Sequence, residues 1–315
     1  MEKSFSHSEM NRMALRITGC ITALATPFEA DGELDTDAWR RLLDRQLDGG
    51  VEGLVVAGST GEAASLFEPE YDAILRLAVE RVAGRVPVLA GTGLSNTQKT
   101  IELTRRVRAL GADAALVVTP PYVRPTTDGL IAHYRAIADD NALPIVLYNV
   151  PSRTGVDMDI AAVEALHSHP NIIGIKEARS DSARMSALLR LRSSNFAILS
   201  GDDPTAGRAM LAGADGLISV GSNVAPRSFR RLCDLSRARR SGDSQALDQA
   251  MADLYDFLGI EPNPIPVKAL LHQQGIGYGL RLPLTSLSPE YANTMRQVAE
   301  QVELLESQAL RAGSI

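Results

Sequence analysis

The chain has 315 residues, of which 45% are hydrophobic and 22% charged, and its formal net charge is −6. This composition is typical of a globular protein with a large core, and the length allows one large domain with an appendage or two domains. No basic stripe interleaved with aromatic residues is present, so nucleic acid is not an expected partner. No stretch approaches the roughly 20 apolar residues that a membrane helix needs, so we expect no membrane association either.

The N-terminal segment is polar and lacks the apolar run of a secretory signal, and we interpret residues 1–15 as a flexible tail. The two cysteines, Cys20 and Cys233, form no Cys-X-X-Cys motif. A bridge between them stays open at this point, but a reducing compartment is the simpler interpretation. We therefore expect a cytoplasmic protein.

Eight short apolar runs recur along the chain, with helical patterns between them. They cover residues 17–25, 53–57, 86–90, 114–118, 144–148, 172–176, 196–200 and 216–220. Most are continuous rather than alternating, as expected of parallel strands buried on both faces. Eight strands, each followed by a helix, predict a (β/α)₈ TIM barrel over residues 16–239. The alternative is a doubly wound open sheet, but the Gly-rich dinucleotide fingerprint that begins at Gly91 is incomplete, and we expect no cofactor.

The helical patterns carry start and stop signals. In the first, Asp35 or Thr36 is the expected cap and Gly49 the stop. Its inward stripe consists of Trp39, Leu42, Leu43 and Leu47. In the third, the expected caps are Ser95, Asn96 or Thr97, the inward residues are Ile101, Leu103, Val107 and Leu110, and the stop is Gly111.

The strand pattern stops after about residue 239, and we interpret residues 241–243 as a break. Helical patterns follow at about 244–258, 265–274 and 288–311, the last with Ser288 as its expected cap. These patterns predict a C-terminal helical domain over residues 240–315. Its apolar faces are expected to be buried against the barrel or against another subunit.

Lys176 ends the sixth apolar run, and it is one of only four lysines among the 32 basic residues. Removal from water disfavours the charged form of an amine, and a neutral amine can attack a ketone to form a Schiff base. The alternative is a lysine whose stem covers the end of a buried strand while its amine reaches solvent.

Other polar residues follow the predicted strands at the end where barrel enzymes place their active sites. Ser59 and Thr60 stand between two glycines, where backbone N–H groups could hold a carboxylate, or they form a tight turn that caps the next helix. Tyr148 ends the fifth run and could relay protons, or it is a tyrosine at the barrel rim. Arg153 offers a planar fork for a carboxylate, or it is a surface arginine. Tyr122 lies in a loop with three prolines and suits an acid/base, interface or packing role.

The seventh and eighth apolar runs are expected to supply the remaining residues around an active-site pocket at this end of the barrel. Gly201, Asp202 and Asp203 follow the seventh run, and Ile218 lies in the eighth. The two aspartates have no histidine nearby in sequence and no ligand spacing, so we expect no metal site.

These motifs together resemble the dihydrodipicolinate synthase family, in the N-acetylneuraminate lyase superfamily of class I aldolases. The resemblance runs from about residue 19 to 287. It rests on residues 58–62 (GSTGE), 119–122 (TPPY), 148–155 (YNVPSRTG), 172–177 (IIGIKE), 200–203 (SGDD) and 261–268 (EPNPIPVK). Arg153 points to the synthases, because the sugar-acid lyases usually carry other residues there.

The resemblance implies a function and a set of roles. The enzyme would condense pyruvate with L-aspartate 4-semialdehyde in lysine and diaminopimelate biosynthesis, as a homotetramer of two tight dimers. Lys176 would form the Schiff base and Tyr148 would shuttle protons. Ser59 and Tyr122 would complete a hydroxyl relay, with Tyr122 reaching the neighbouring subunit. Of the binding residues, Ser59, Thr60, Gly201 and the Ile218 carbonyl would contact pyruvate, and Arg153 would hold the semialdehyde carboxylate.

The sequence departs from the family pattern at two places. Ser59 stands where the synthases more often have Thr, and this Ser also occurs in lyase relatives. The positions that bind feedback lysine in sensitive members carry Ala63, Glu68, Tyr71, Ser95, Lys99 and Pro121 here. Lys99 would repel the ammonium group of a lysine ligand, so we expect weak or absent inhibition.

Two alternative functions remain open from the sequence. A 2-keto-3-deoxy sugar-acid aldolase or dehydratase, or a lyase of the N-acetylneuraminate type, would use the same Lys176 and Tyr148. A non-catalytic barrel that acts as a sensor or scaffold would keep the fold, although a binding module does not need an amine at a strand end.

Overall fold

The structure, a computed structural model, describes residues 15–312. Eight parallel strands close into one barrel, with each strand paired to the next and β8 paired to β1. The strands are β1 (Gly19–Ala23), β2 (Gly53–Val56), β3 (Val88–Gly91), β4 (Ala114–Val118), β5 (Ile145–Asn149), β6 (Ile172–Glu177), β7 (Ala197–Ser200) and β8 (Gly216–Ser219). The predicted (β/α)₈ barrel is confirmed and the open sheet is excluded. The predicted tail lies outside the described residues, apart from Leu15.

Helices follow the strands and continue beyond the barrel. They are α1 (Thr36–Asp48), α2 (Glu68–Val82), α3 (Thr97–Ala109), α4 (Thr127–Asp139), α5 (Pro151–Thr154), α6 (Ile160–Leu166), α7 (Ser182–Leu189), α8 (Asp203–Ala212), α9 (Pro226–Arg237), α10 (Ser241–Ala250), α11 (Ala252–Gly259), α12 (Ile265–Gln273) and α13 (Ala292–Ala312). Between residues 15 and 312, no helix combines the length and the apolar composition needed to cross a membrane.

The core consists of two apolar clusters, because every strand is buried on both faces. The barrel interior is filled by residues such as Ile21, Val55, Leu89, Leu116, Val146, Leu199 and Ile218. The larger cluster lies between the strands and the helices, and it includes Leu254, Phe257 and Val302 of the C-terminal helices. The C-terminal helices therefore bury apolar faces against the barrel. Cys20 and Cys233 are both buried and are free thiols.

The caps of α1 and α3 are among the residues predicted for them. Asp35 caps α1 by accepting from the N–H of Ala38 at 2.7 Å, and Asn96 caps α3 by accepting from the N–H of Lys99 at 3.0 Å. The predicted inward face of α3 is only partly correct. Its fully buried residues are Thr100, Thr104 and Val107, whereas Ile101, Leu103 and Leu110 are half-buried. Threonine can occupy this face because the Thr104 hydroxyl donates to the Thr100 carbonyl at 2.7 Å, which satisfies its polar group.

Three predictions for the C-terminal region are wrong. Residues 241–243 are the first turn of α10 and not a break, and the predicted helix over 244–258 is interrupted at Met251. Met251 is fully buried with φ −93° and ψ 2°, so the chain bends around the core without Gly or Pro. Ser288 does not cap the last helix, because its hydroxyl donates to Glu261 and a 3₁₀ turn (Pro289–Tyr291) precedes α13.

Candidate active site

β5 and β6 place a lysine and a tyrosine side by side at the C-terminal rim of the barrel. Tyr148 and Lys176 are partners in the strand register, and both side chains point toward the barrel axis. The Lys176 Nζ lies 4.4 Å from the centroid of the Tyr148 ring. Lys176 is 4% exposed and Tyr148 is 6% exposed, so the amine does not reach bulk solvent as a strand-end surface lysine would. The pair forms a nucleophile next to a phenol.

Gly201 makes room for the lysine side chain. A Cβ on residue 201 would lie 2.7 Å from Cε and 2.9 Å from Cγ of Lys176, and 3.2 Å from the Cβ of Ala178. Carbon atoms in contact are normally at least about 3.5 Å apart. Any larger residue at position 201 would therefore displace the lysine.

A buried ion pair braces the ends of β5 and β6 on the side away from the barrel axis. The Glu177 carboxylate accepts from the Asn149 amide at 3.1 Å and from the Arg184 guanidinium at 2.9 Å. Arg184 also donates to the Met158 carbonyl at 2.6 Å. Asn149 and Glu177 directly follow Tyr148 and Lys176 in the chain, so this network fixes the strand ends that carry the reactive pair. The sequence reasoning did not identify Arg184, which has no local signal.

The turn from Gly58 to Glu62 lies at the end of β2 and carries Ser59 and Thr60. Its N–H groups bond back within the turn, from Gly61 to the Gly58 carbonyl at 3.1 Å and from Glu62 to the Ser59 carbonyl at 3.2 Å. Ser59 is partly exposed and lines the central cavity. Thr60 is buried, and its hydroxyl accepts from the Asn263 amide at 3.0 Å.

A second buried ion pair joins this turn to the C-terminal helices. The Lys268 Nζ of α12 lies 2.5 Å from a carboxylate oxygen of Glu62, and the two side chains are 5% and 2% exposed. Lys268 and Arg281 lie on the Phe28 ring, each 4.2 Å from its centroid. Burial lowers the pKa of Lys268 to about 8, and the Glu62 carboxylate opposes that shift. The shortage of lysine that drew attention to Lys176 could have identified Lys268 as well.

Arg153 lines the same cavity as this turn. Its guanidinium is exposed and donates to the Asn263 carbonyl at 2.7 Å. Asn263 therefore connects two predicted binding residues, with its amide on Thr60 and its carbonyl on Arg153. Asn263 belongs to the motif over residues 261–268, but that motif alone does not predict this bridging role.

The central cavity has a volume of about 880 Å³, which suits a small-molecule site. Its lining includes Ser59, Tyr148, Val150, Arg153 and Asn263. The same cavity is also lined by Ala63, Glu68, Tyr71, Ser95, Lys99 and Pro121. The predicted catalytic residues Ser59 and Tyr148 therefore line the same cavity as the six positions at which the sequence departs from lysine-sensitive members of the family.

The remaining predicted site residues lie apart from this pair or have structural partners. Tyr122 is 92% exposed with φ 75°, and its N–H donates to the Thr154 carbonyl at 3.2 Å, so within one chain it does not join Tyr148 or Ser59. Ile218 is buried in the barrel interior. Asp203 accepts from the N–H of Gly221 at 2.7 Å, and burial raises its pKa to about 6.

The chain was compared with known proteins. The model of the dihydrodipicolinate synthetase family matches residues 16–302. The chain belongs to this family. It is 60% identical over 293 residues to the 4-hydroxy-tetrahydrodipicolinate synthase of Stenotrophomonas maltophilia strain K279a, covering 93% of this chain and 99% of the relative. It is 59% identical over 297 residues to the enzyme of that name from Xanthomonas campestris pv. campestris, covering 94% and 98%.

The comparison with solved structures agrees with the sequence comparison. The chloride-inhibited dihydrodipicolinate synthase from Acinetobacter baumannii, solved with pyruvate, matches with a TM-score of 0.89 and 41% identity. The match covers 91% of this chain and 99% of that chain. At this identity and coverage the likeness extends beyond the barrel to the whole family architecture, including the C-terminal helices.

Proposed function

We propose that this chain is a 4-hydroxy-tetrahydrodipicolinate synthase, a lyase that condenses pyruvate with L-aspartate 4-semialdehyde in the biosynthesis of lysine and diaminopimelate. The observation that carries this proposal is the buried Lys176 amine over the Tyr148 ring at the mouth of the barrel. The names of the relatives at 60% and 59% identity support the same activity. The pyruvate bound to the Acinetobacter baumannii enzyme supports the first substrate.

In the proposed reaction, the neutral Lys176 Nζ attacks the C2 carbonyl carbon of pyruvate. Loss of one water molecule from the resulting carbinolamine gives the Schiff base, and loss of a proton from C3 gives the enamine. The enamine carbon then attacks the aldehyde carbon of the semialdehyde, and a proton is delivered to the new alkoxide. The amino group of the semialdehyde portion then attacks the iminium carbon and displaces the Lys176 amine, which closes the product ring and frees the enzyme. Tyr148 lies against the amine and is the proposed proton carrier in these steps, and Ser59 lines the same cavity.

Two groups are proposed to hold the carboxylates, and two further residues to complete the pocket. The backbone of Ser59 and Thr60 would hold the pyruvate carboxylate, since N–H groups in a glycine turn favour an anion. The guanidinium of Arg153 would hold the carboxylate of the semialdehyde with its planar fork. The Ile218 carbonyl and Gly201 would complete the pyruvate pocket around Lys176.

Tyr122 is proposed to act in an assembly. A phenol that is 92% exposed on a proline-rich loop suits a contact with a second chain, where it would complete the hydroxyl relay. A homotetramer of two tight dimers accords with this exposure. A cytoplasmic location remains the prediction made from the two unpaired cysteines.

Reduction with borohydride in the presence of pyruvate tests the amine. We expect a mass increase on Lys176, and none in Lys176→Arg, which keeps the charge but cannot form the same adduct. A wild-type protein that gives no adduct would contradict both the synthase and the sibling aldolases. It would leave the non-catalytic barrel as the better explanation.

A coupled assay tests the second substrate. We expect turnover of pyruvate with L-aspartate 4-semialdehyde, and little turnover of 2-keto-3-deoxy sugar acids or N-acetylneuraminate. Arg153→Ala should raise the KM for the semialdehyde while leaving adduct formation with pyruvate unchanged. A preference for any sugar acid would overturn the synthase proposal in favour of a sibling enzyme.

A further inference from the structure

The turn that carries Ser59 and Thr60 is held in an unfavourable backbone conformation. Ala57 has φ 52° and Glu62 has φ 51°, and both residues therefore occupy the left-handed region without being glycine. Such residues cost of order 1–3 kcal/mol each and persist only where the surroundings fix them. Something outside the turn must therefore hold its two ends.

The fixing contacts come from distant parts of the chain. At the first end, the Ala57 carbonyl passes so close to Gly91 that a Cβ on residue 91 would lie 2.1 Å from it. At the centre, the Thr26 hydroxyl donates to the Gly61 carbonyl at 2.7 Å. At the second end, Glu62 is tied to Lys268 at 2.5 Å and accepts from the Arg281 N–H at 3.3 Å.

The Glu62–Lys268 pair differs from the other contacts because both of its charges are removed from water. Phe28 covers the ammonium on one side, and Arg281 stacks on the same ring and is held by Glu70 through paired hydrogen bonds. Burying an ion pair rarely adds net stability over an apolar pair of the same shape, so its presence here calls for a geometric role.

We infer that Glu62 and Lys268 are positioning residues for pyruvate binding. Their buried ion pair fastens the turn so that the Ser59 and Thr60 N–H groups point at the substrate carboxylate. This inference rests on the proposed function, since it needs pyruvate to bind at that turn. We class both as positioning residues because their charged atoms are occupied by protein partners: Lys268 by Glu62 and the Phe28 ring, and Glu62 by Lys268 and the Arg281 N–H.

Steady-state kinetics with both substrates varied provide the test. Glu62→Gln and Lys268→Met should raise the KM for pyruvate about 10-fold to 100-fold, because a misplacement of about 1 Å in a binding group can have an effect of that size. The KM for the semialdehyde should change less than threefold. A purely structural role would lower the amount of active enzyme, and thus kcat, while leaving the KM for pyruvate unchanged. The fraction of active enzyme is measured by borohydride trapping at saturating pyruvate.

The double variant Glu62→Gln/Lys268→Met separates positioning from stability, and it serves as well if either single variant fails to fold. It contains no unpaired buried charge, so its thermal midpoint should recover toward the wild-type value. Its KM for pyruvate should stay raised, because the tether is gone. Arg81→Ala is the matched control, since it breaks an ion pair with Asp44 on the helix surface and should change neither constant.

The outcomes are distinct. A double variant with wild-type KM for pyruvate, or single variants that lose only thermal stability, would overturn the positioning role while leaving the proposed function intact. A wild-type enzyme that gives neither adduct nor turnover would instead defeat the proposed function itself.

Discussion

Gly201→Ala is the sharpest test of how the active amine is placed. The new methyl group would lie 2.7 Å from Cε and 2.9 Å from Cγ of Lys176. Against a normal carbon contact of about 3.5 Å, the overlap with Cε is about 0.8 Å. Gly201 does not have positive φ, so alanine introduces no backbone strain and the clash is the main perturbation.

The lysine must move to relieve this clash, since the Ala178 Cβ limits movement of the new methyl at 3.2 Å. Cγ lies close to the backbone of β6 and can be displaced only by changing the first side-chain torsion, which carries Nζ off the Tyr148 ring. A shift of about 1 Å at a reacting atom lowers the rate about 100-fold. Overpacking of this kind costs about 1–3 kcal/mol, so the fold should survive.

The assay is the rate of borohydride-trapped adduct formation at saturating pyruvate, together with kcat/KM in the coupled assay. We expect both to fall about 100-fold, while the thermal midpoint falls by about 2–4 °C for each kcal/mol lost. Gly242→Ala is the control, because a Cβ on that residue meets nothing within 4 Å. If Gly201→Ala formed the adduct at the wild-type rate, Lys176 would not depend on this gap, and the account of its placement would be wrong.

Three further predictions concern stability, pH and regulation. Arg184→Met should destabilise the protein by about 3–5 kcal/mol in urea at fixed protein concentration, because it leaves the Glu177 carboxylate buried without its cation. Arg105→Met, which removes an exposed arginine from its ion pair with Asp140, should change the stability little. Burial lowers the pKa of His133 to about 4, whereas histidine in the unfolded chain has a pKa of about 6.5. Between these two pH values the unfolded chain binds a proton that the folded protein does not bind. The free energy of unfolding therefore falls as the pH falls through this range. His133→Gln should reduce the slope of the free energy of unfolding against pH by up to about 1.4 kcal/mol per pH unit. Parallel plots of that free energy against pH for the wild type and the variant would contradict this prediction. Lysine should inhibit weakly or not at all, and Lys99→Glu should increase sensitivity; a steep inhibition curve of the wild type at modest lysine concentration would refute this.

The barrel could be predicted because its signal is repeated and local. Each strand is a short continuous apolar run, and each cap acts within a few residues, so Asp35 and Asn96 could be identified before any tertiary contact was known. The helix break at Met251 could not be predicted, because it depends on a buried side chain and the packing around it and not on Gly or Pro.

The candidate site also has a part that the sequence predicts and a part that it does not. Lys176 and Tyr148 could be paired from sequence, because parallel strands bring their C-terminal ends to one rim. The Glu62–Lys268 contact behind the turn that carries Ser59 and Thr60 could not be predicted, because it joins residues far apart in the chain. Glu62 and Lys268 are separated by 206 positions, and nothing in either local sequence specifies the other.

The two buried ion pairs suggest how this site is held in shape. Glu177–Arg184 lies behind the strand ends that carry the amine and the phenol, and Glu62–Lys268 lies behind the turn proposed to hold the carboxylate. Each pair lies behind a reactive or binding element, and of the four residues only Glu62 also lines the cavity. A buried ion pair contributes little net stability compared with apolar residues of the same shape, although removing one partner is costly. We therefore infer that both pairs fix the position of the neighbouring site residues and are not sources of stability. A Schiff-base lysine that must meet a carbonyl carbon at one distance and angle requires such fixed geometry on both sides of the substrate.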